Sequence, residues 1–389
     1  MEEINGEEKK KKGLGPWIYP LLFVITFVVT TIAGAEWMYG QLYVYIGPGF
    51  TIVGPQLTFQ EVLSGLQFSI PFLAILTFHE FGHYLTARYY QVKVTLPYYI
   101  PLWLGFLGIL SFGTMGAFIR IKEPIKSRLE YFDIGIAGPI AGFIVALFVL
   151  YYGFTHLPPA EHIYTIHPEY EEYGENYAEY FYNQEGSFYL GDNLTFWFFK
   201  NYVAPDPGRI PNPHEIIHYP WLFSGFLALF FTAINLLPIG QLDGGHALYG
   251  LFGRDNHRKI STVMFILLLS YGGLGVVTPF EPLEDLMWYI PLYIGFLYIV
   301  MRSMQVKDRT RLLLAVSIFT AQFVTAMFIP VVKGYAGWLV FAFIIGRFLG
   351  IQHPPALYDQ PLSPTRKILG WITLIIFVVS FSPRPFVIY

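Results

Sequence analysis

Two imidazoles and a carboxylate interrupt an apolar run in the stretch "LTFHEFGHYL", residues 76–85. His79 and His83 are four residues apart, so on a helix they share one face, one turn apart. That spacing lets both rings reach a single metal ion at about 2.0–2.1 Å, with Glu80 beside them as general base on a water the metal activates. Gly82 keeps the face slim. A hydrogen-bonded His/Glu network between helices is the structural alternative, but ionisable groups inside a membrane span are costly and point first to function. A catalytic zinc needs a third protein ligand and one open position. The segment "NLLPIGQLDGGHALYG", 235–250, offers Asp243. It also reads as a turn in which Asp243 caps a helix, because Asp before Gly-Gly is a turn signal. His246, three residues on, is either a group behind the ligands, an alternative ligand, or a polar interface residue.

The elements that must carry these residues are apolar helices. The chain has 389 residues, 54% hydrophobic and 13% charged, about half the charge of an ordinary soluble domain. Runs long enough to cross a hydrocarbon core recur at about 17–38, 61–90, 131–153, 217–240, 260–280, 287–302, 311–331, 334–350 and 366–382. The expected fold class is an all-α polytopic membrane protein of about nine transmembrane helices. The first run follows a charged tail without a small-residue cleavage site, so it reads as a retained span and not a signal peptide. With Lys9–Lys12 on the inside and alternating sides, only Lys200, Arg209, Lys333 and Arg384 of the 24 Lys and Arg fall outside, as the positive-inside rule requires. This topology puts Asp243 at the inner end of the fourth span, level with "HEFGH", which favours the ligand reading over the cap. The chain has no cysteine, which excludes disulfides, cysteine-ligated metals and thiol nucleophiles.

Two connections are more than loops. Residues 91–124 are apolar but broken by Pro and Gly, and "GAFIRIK" alternates like a strand. Non-helical backbone at membrane depth survives only where protein or a wet cavity satisfies it, so a re-entrant strand or hairpin near "HEFGH" is expected. Residues 154–216, rich in Glu and Tyr, are expected outside as a folded cap. His156, His162, His167, His214 and His218 in or beside it read as solvated residues in preference to a second metal site.

"HEFGH" on one span and "NLLPIGQLDGG" on a later one resemble the site-2 protease family of intramembrane zinc metalloproteases, whose pattern is HExxH followed by Asn-x-x-Pro-x-x-x-x-Asp-Gly. "GIAGPIAG", 135–142, resembles the family's Ala-Gly-Pro element, and "HPP", 353–355, is a weaker similarity. The resemblance implies one Zn2+ held by His79, His83 and Asp243, with Glu80 as catalytic base and proton shuttle. It implies that Asn235 contacts substrate backbone, and that "FGTMGAFIRIK" forms a membrane-embedded hairpin pairing with an unwound substrate strand. There, Gly113 and Gly116 would permit close backbone approach. No PDZ-like insertion is found. The implied partners are single-pass transmembrane substrates and the lipid bilayer, with no nucleic acid. The expected setting is a prokaryotic cell membrane with the N-terminus cytoplasmic. The expected division is 1–60 for the tail, first helix and outer loop, 61–250 for the catalytic core, and 251–389 for the C-terminal helices. The alternatives are a membrane zinc transporter, which would need His and acidic residues spread along later spans, and a catalytically silent zinc-binding chaperone, against which the intact Glu80 argues.

Overall fold

Apolar runs fold into helices wherever their backbone groups can be satisfied internally, and the chain's long runs do so. The computed structural model describes residues 15–182 and 188–388; the basic tail with Lys9–Lys12 lies outside the described residues. The principal helices are α1 (Ile18–Tyr39), α2 (Leu66–Tyr89), α3 (Arg128–Thr155), α4 (Pro220–Asn235), α5 (Asp243–Gly272), α6 (Leu283–Val300), α7 (Asp308–Phe328), α8 (Gly337–Ile344) and α9 (Pro364–Ser380). Among the described residues, five helical stretches are long and apolar enough to cross a membrane: Ile18–Tyr39, Phe59–Tyr89, Arg128–Thr155, Leu283–Met304 and Asp308–Phe328. The chain is accordingly a mostly helical membrane protein with small sheets.

Two boundaries depart from the sequence expectation. The fourth run stops at Asn235, because Pro238 cannot continue a helix and the chain turns through Gly240 in a left-handed conformation (φ +61°). The fifth helix begins at Asp243 and not near 260. Its polar stretch "GRDNHRK" reads as a loop by hydropathy, yet the structure continues helically through it with one break at Gly253 (φ +73°).

α2 and α3 form the centre. They approach closely because Gly82 faces the Ala137 carbonyl, where an added Cβ would lie within 2.5 Å. Capping boxes start α3 (Ser127 with Glu130) and the short helix Phe59–Ser64 that leads into α2 (Thr58 with Glu61). Between α2 and α3, strands β1 (Tyr98–Leu102) and β2 (Gly113–Phe118) form an antiparallel hairpin with Tyr98 opposite Phe118 and Leu102 opposite Gly113. The alternation in "GAFIRIK" thus belongs partly to β2, whose strand begins three residues earlier, at Gly113.

The hairpin is moored to α1. Trp103 Nε1 donates to buried Glu36 Oε2 at 3.0 Å, and Trp37 Nε1 donates to the Ser111 carbonyl at 2.9 Å. Gly113 (φ +75°) lies against the Thr30 backbone, where any side chain would overlap α1. The described residues of 154–216 fold largely into short helices over the ends of α1, α3 and α4. Strand β3 (Phe188–Leu190) there pairs with β4 (Phe386–Ile388) at the far end of the chain. Leu157, Leu190, Phe196, Phe199 and Ile216 join the core of α2, α3 and α4.

Candidate active site

His79 and His83 leave α2 one turn apart, and their Nε2 atoms are 3.1 Å from each other. Asp243 Oδ2, at the first residue of α5, is 3.5 Å from His79 Nε2 and 3.4 Å from His83 Nε2. Ligand bonds of about 2.0–2.1 Å in tetrahedral array set donor atoms roughly 3.3–3.4 Å apart, so the three donors are spaced as a zinc site requires. Both histidines are buried. His83 Nδ1–H donates to the Ile134 carbonyl on α3 at 2.7 Å. That bond fixes the tautomer and turns the Nε2 lone pair towards Asp243, the outer-sphere arrangement metal-binding histidines need.

The bed under the rings is the glycine ridge of α3. A Cβ at Gly138 would overlap His83 Nε2, one at Gly142 would sit 3.1 Å from His79 Cβ, and one at Gly135 would overlap His246. "GIAGPIAG" is thereby given a physical reason: only a bare backbone leaves room for three imidazoles between α2, α3 and α5. Gly138→Ala is expected to displace His83 and weaken metal binding by at least the roughly tenfold that disturbing an outer-sphere partner costs. Gly142→Ala should weaken it less. Competition titration with a chromophoric chelator measures both, and equal, negligible effects would refute the account of the bed.

Asp243 is not a cap. The capping position is Leu242, which makes no side-chain capping bond, and the carboxylate faces the histidines instead. The turn that delivers it is tightly built. Gly240 N–H donates to Ser261 Oγ at 3.0 Å, and Ser261 Oγ–H donates to the Ile351 carbonyl at 2.7 Å. Gly244 and Gly245 pack on the Leu236 and Gly240 carbonyls, where a Cβ would overlap. The Gly-Gly after Asp243 therefore serves the fold of the turn.

Glu80, 6% exposed, lies beside this cluster and lines a cavity together with Ile119, just past β2. A cavity between α2, α4 and β2 is lined by His79, Glu80, Thr114, Met115, Gly116, Ala117 and Asn235. Asn235 Nδ2 is 3.5 Å from His79 Nε2. Among the described residues, Gly116 (φ +110°) has open space where a side chain would stand, and β2 pairs on one side only, with β1. The structure thus brings together His79, Glu80, His83, Asn235, Asp243 and Gly116. Gly113 packs on α1 and lines neither this cavity nor its neighbour.

A second cavity on the other flank is lined by Glu80, His83, Tyr131, Asp243 and His246 among others. His246 stacks on Tyr131, and its Nδ1–H donates to His353 Nε2 at 2.8 Å. His353 Nδ1–H in turn donates to the Pro354 carbonyl. The sequence signals were the three-residue spacing from Asp243 and the "HPP" tripeptide; the link between them, across more than a hundred residues, carries no sequence pattern, and neither does Tyr131.

The family model described as Peptidase family M50 matches residues 67–274. "Probable zinc metalloprotease EGY1, chloroplastic" of Oryza sativa subsp. japonica is 31% identical over 225 residues, 57% of this chain and 33% of that protein. The Arabidopsis thaliana protein of the same name is 31% identical over 202 residues, 51% of this chain and 32% of that one. "Probable zinc metallopeptidase EGY3, chloroplastic" of Arabidopsis thaliana is 25% identical over 296 residues, 70% of this chain and 43% of that one. The matched part of the chain thus spans about a third of the length of the first of these curated relatives. No solved structure matches.

Proposed function

The chain belongs to peptidase family M50, and from that premise we propose that it is an intramembrane zinc metalloprotease hydrolysing peptide bonds within or near transmembrane segments of other proteins. The observation that carries this reading is the convergence of His79 Nε2, His83 Nε2 and Asp243 Oδ2 beside buried Glu80. Their types, spacing and the tautomer set by Ile134 fit Zn2+, so these three residues would hold it. Zinc, when bound, supplies a Lewis acid that polarises a peptide carbonyl and lowers the pKa of water. Glu80 takes the proton from the attacking water and returns it to the leaving amine.

A spanning substrate helix hides its peptide bonds in its own hydrogen bonds and must unwind before attack. The unpaired edge of β2 is the surface that would hold the unwound strand by β-addition, with Gly116 leaving room for it and the Asn235 amide contacting its backbone. Gly113 serves the same surface indirectly, by letting β2 lie against α1. The substrates in this reading are single-pass membrane proteins. The catalytic core is 61–250, preceded by the tail and first helix and followed by the helices of 251–389.

About nine apolar segments cross the bilayer in this reading, with the N-terminus cytoplasmic and the hairpin re-entrant. The contacts support that topology, because they join inner segments to inner and outer to outer. On the inner side Arg128 meets Asp359 at 3.0 Å and Arg366 meets Asp133 at 2.9 Å. On the outer side β3 pairs with β4, and Arg384 bonds the Lys333 carbonyl.

The test uses purified protein in proteoliposomes with a single-spanning substrate. Cleavage is expected to stop on chelation and to return with added zinc. Zinc flux without cleavage would favour a transporter instead.

A further inference from the structure

A second set of metal-binding side chains converges in the outer segment. His167 Nε2 is 3.3 Å from His218 Nε2 and 3.9 Å from Glu215 Oε2, and His218 Nε2 is 3.4 Å from the same oxygen. All three donor atoms lie within 4.8 Å of one another. These edges match those of the His79/His83/Asp243 cluster, two of them closely. Unlike scattered surface histidines, two of the three are buried, Glu215 at 2% exposed and His218 at 4%.

The hydrogen bonds around it turn the three ligand atoms towards one another. His218 Nδ1–H donates to the Met38 carbonyl at the end of α1, at 2.8 Å, and His167 Nδ1–H donates to Glu169 Oε1 at 3.2 Å. Each ring therefore aims an Nε2 lone pair inward. Glu215 Oε2, facing both, is buried and has no hydrogen-bond partner among the described residues. Two lone pairs and an orphaned carboxylate oxygen oppose one another, an arrangement that costs free energy until a metal ion or a proton sits between them.

We propose that His167, Glu215 and His218 form a structural site for a divalent transition-metal ion, with Zn2+ the best fit to two imidazoles and one carboxylate. The His167 side chain is 27% exposed, which gives the ion an entry path and water access to a fourth position. The site joins three parts of the fold. His167 belongs to the outer cap, and Glu215 and His218 stand at the entry to α4. Through Met38 it reaches the end of α1, the helix on which the hairpin is moored. Its role is to fasten the cap over the outer ends of the helices, and it involves none of the residues around Glu80.

The test uses the full-length protein carrying His79→Ala and His83→Ala, so that the α2 cluster cannot contribute. Elemental analysis after loading with zinc and desalting is expected to find one ion per chain, falling to none when Glu215→Gln and His218→Asn are added. Chelation of the His79→Ala, His83→Ala protein should lower its unfolding midpoint by several degrees, and zinc should restore it. That readout needs no substitution in the cap. No retained zinc, retention undiminished by Glu215→Gln and His218→Asn, or a midpoint indifferent to zinc would overturn the proposal. Failure of the α2 site is separable: wild type and the His79→Ala, His83→Ala protein would then each hold one ion.

Discussion

Glu80→Gln is expected to lower peptide hydrolysis by on the order of 10²–10⁴-fold while zinc stays bound. That loss corresponds to about 3–5 kcal/mol of transition-state stabilisation. The substitution is close to isosteric and keeps a carbonyl oxygen where Glu80 has a carboxylate oxygen. The three donor atoms that would hold the metal are on other residues, so what is removed is the group that in the proposed mechanism accepts and returns the proton. Glu80 is too well buried for bulk water to replace it efficiently. Turnover of a single-spanning substrate, with zinc content measured on the same preparation, checks both halves. Activity within a factor of a few of wild type would remove Glu80 from the mechanism, and loss of zinc would make it a ligand.

Asp243→Ala should weaken zinc binding by more than the roughly 10–100-fold that losing an outer-sphere partner costs, and abolish cleavage with it. The two imidazoles would remain, but without the carboxylate that lies 3.4–3.5 Å from both. The turn should survive, because Gly240, Ser261 and the Ile351 carbonyl hold it through groups that Asp243 does not supply. A residue acting only through the start of α5 would behave differently. Losing a charge at a helix N-terminus costs about 0.3–1 kcal/mol of stability and leaves metal affinity alone. Zinc titration and thermal unfolding of the same variant therefore separate the two roles: a small stability loss with unchanged affinity would take Asp243 out of the ligand set.

The legible parts of the site were those encoded locally. His79, Glu80 and His83 share one helical turn, so their chemistry follows from spacing alone. Asp243 became readable only after the charge partition set it at the depth of α2. Other parts were hidden because they depend on what lies opposite in space. The glycines of "GIAGPIAG" are visible as a pattern, but that Gly138 lies under His83 is set by how α2 crosses α3. The outer histidines looked solvated because His167 and the pair Glu215/His218 are separated by some fifty residues of cap, and nothing in either stretch announces the other.

The fold shows the same division. Long apolar helices stand out by hydropathy, whereas the first half of α5 carries Arg254, Asp255, Arg258 and Lys259 and reads as a loop. Alternation, Pro and Gly mark a strand or hairpin between α2 and α3, and the antiparallel pair is there. Its mooring through Glu36 and Trp103 has no such mark, since one buried carboxylate in an apolar helix does not reveal its partner. Gly113 illustrates the limit well: the need for close backbone approach was readable, but the backbone it approaches is that of α1.

The most direct test of the central claim is the position of the cut. The purified, zinc-loaded protein is incubated in bilayers with a single-spanning substrate, and the product termini are mapped by mass spectrometry beside a Glu80→Gln control. The account predicts new termini within or at the edge of the substrate's apolar segment, absent from the control. Cuts confined to the soluble parts of the substrate, or the same termini at the same rate with Glu80→Gln, would contradict it.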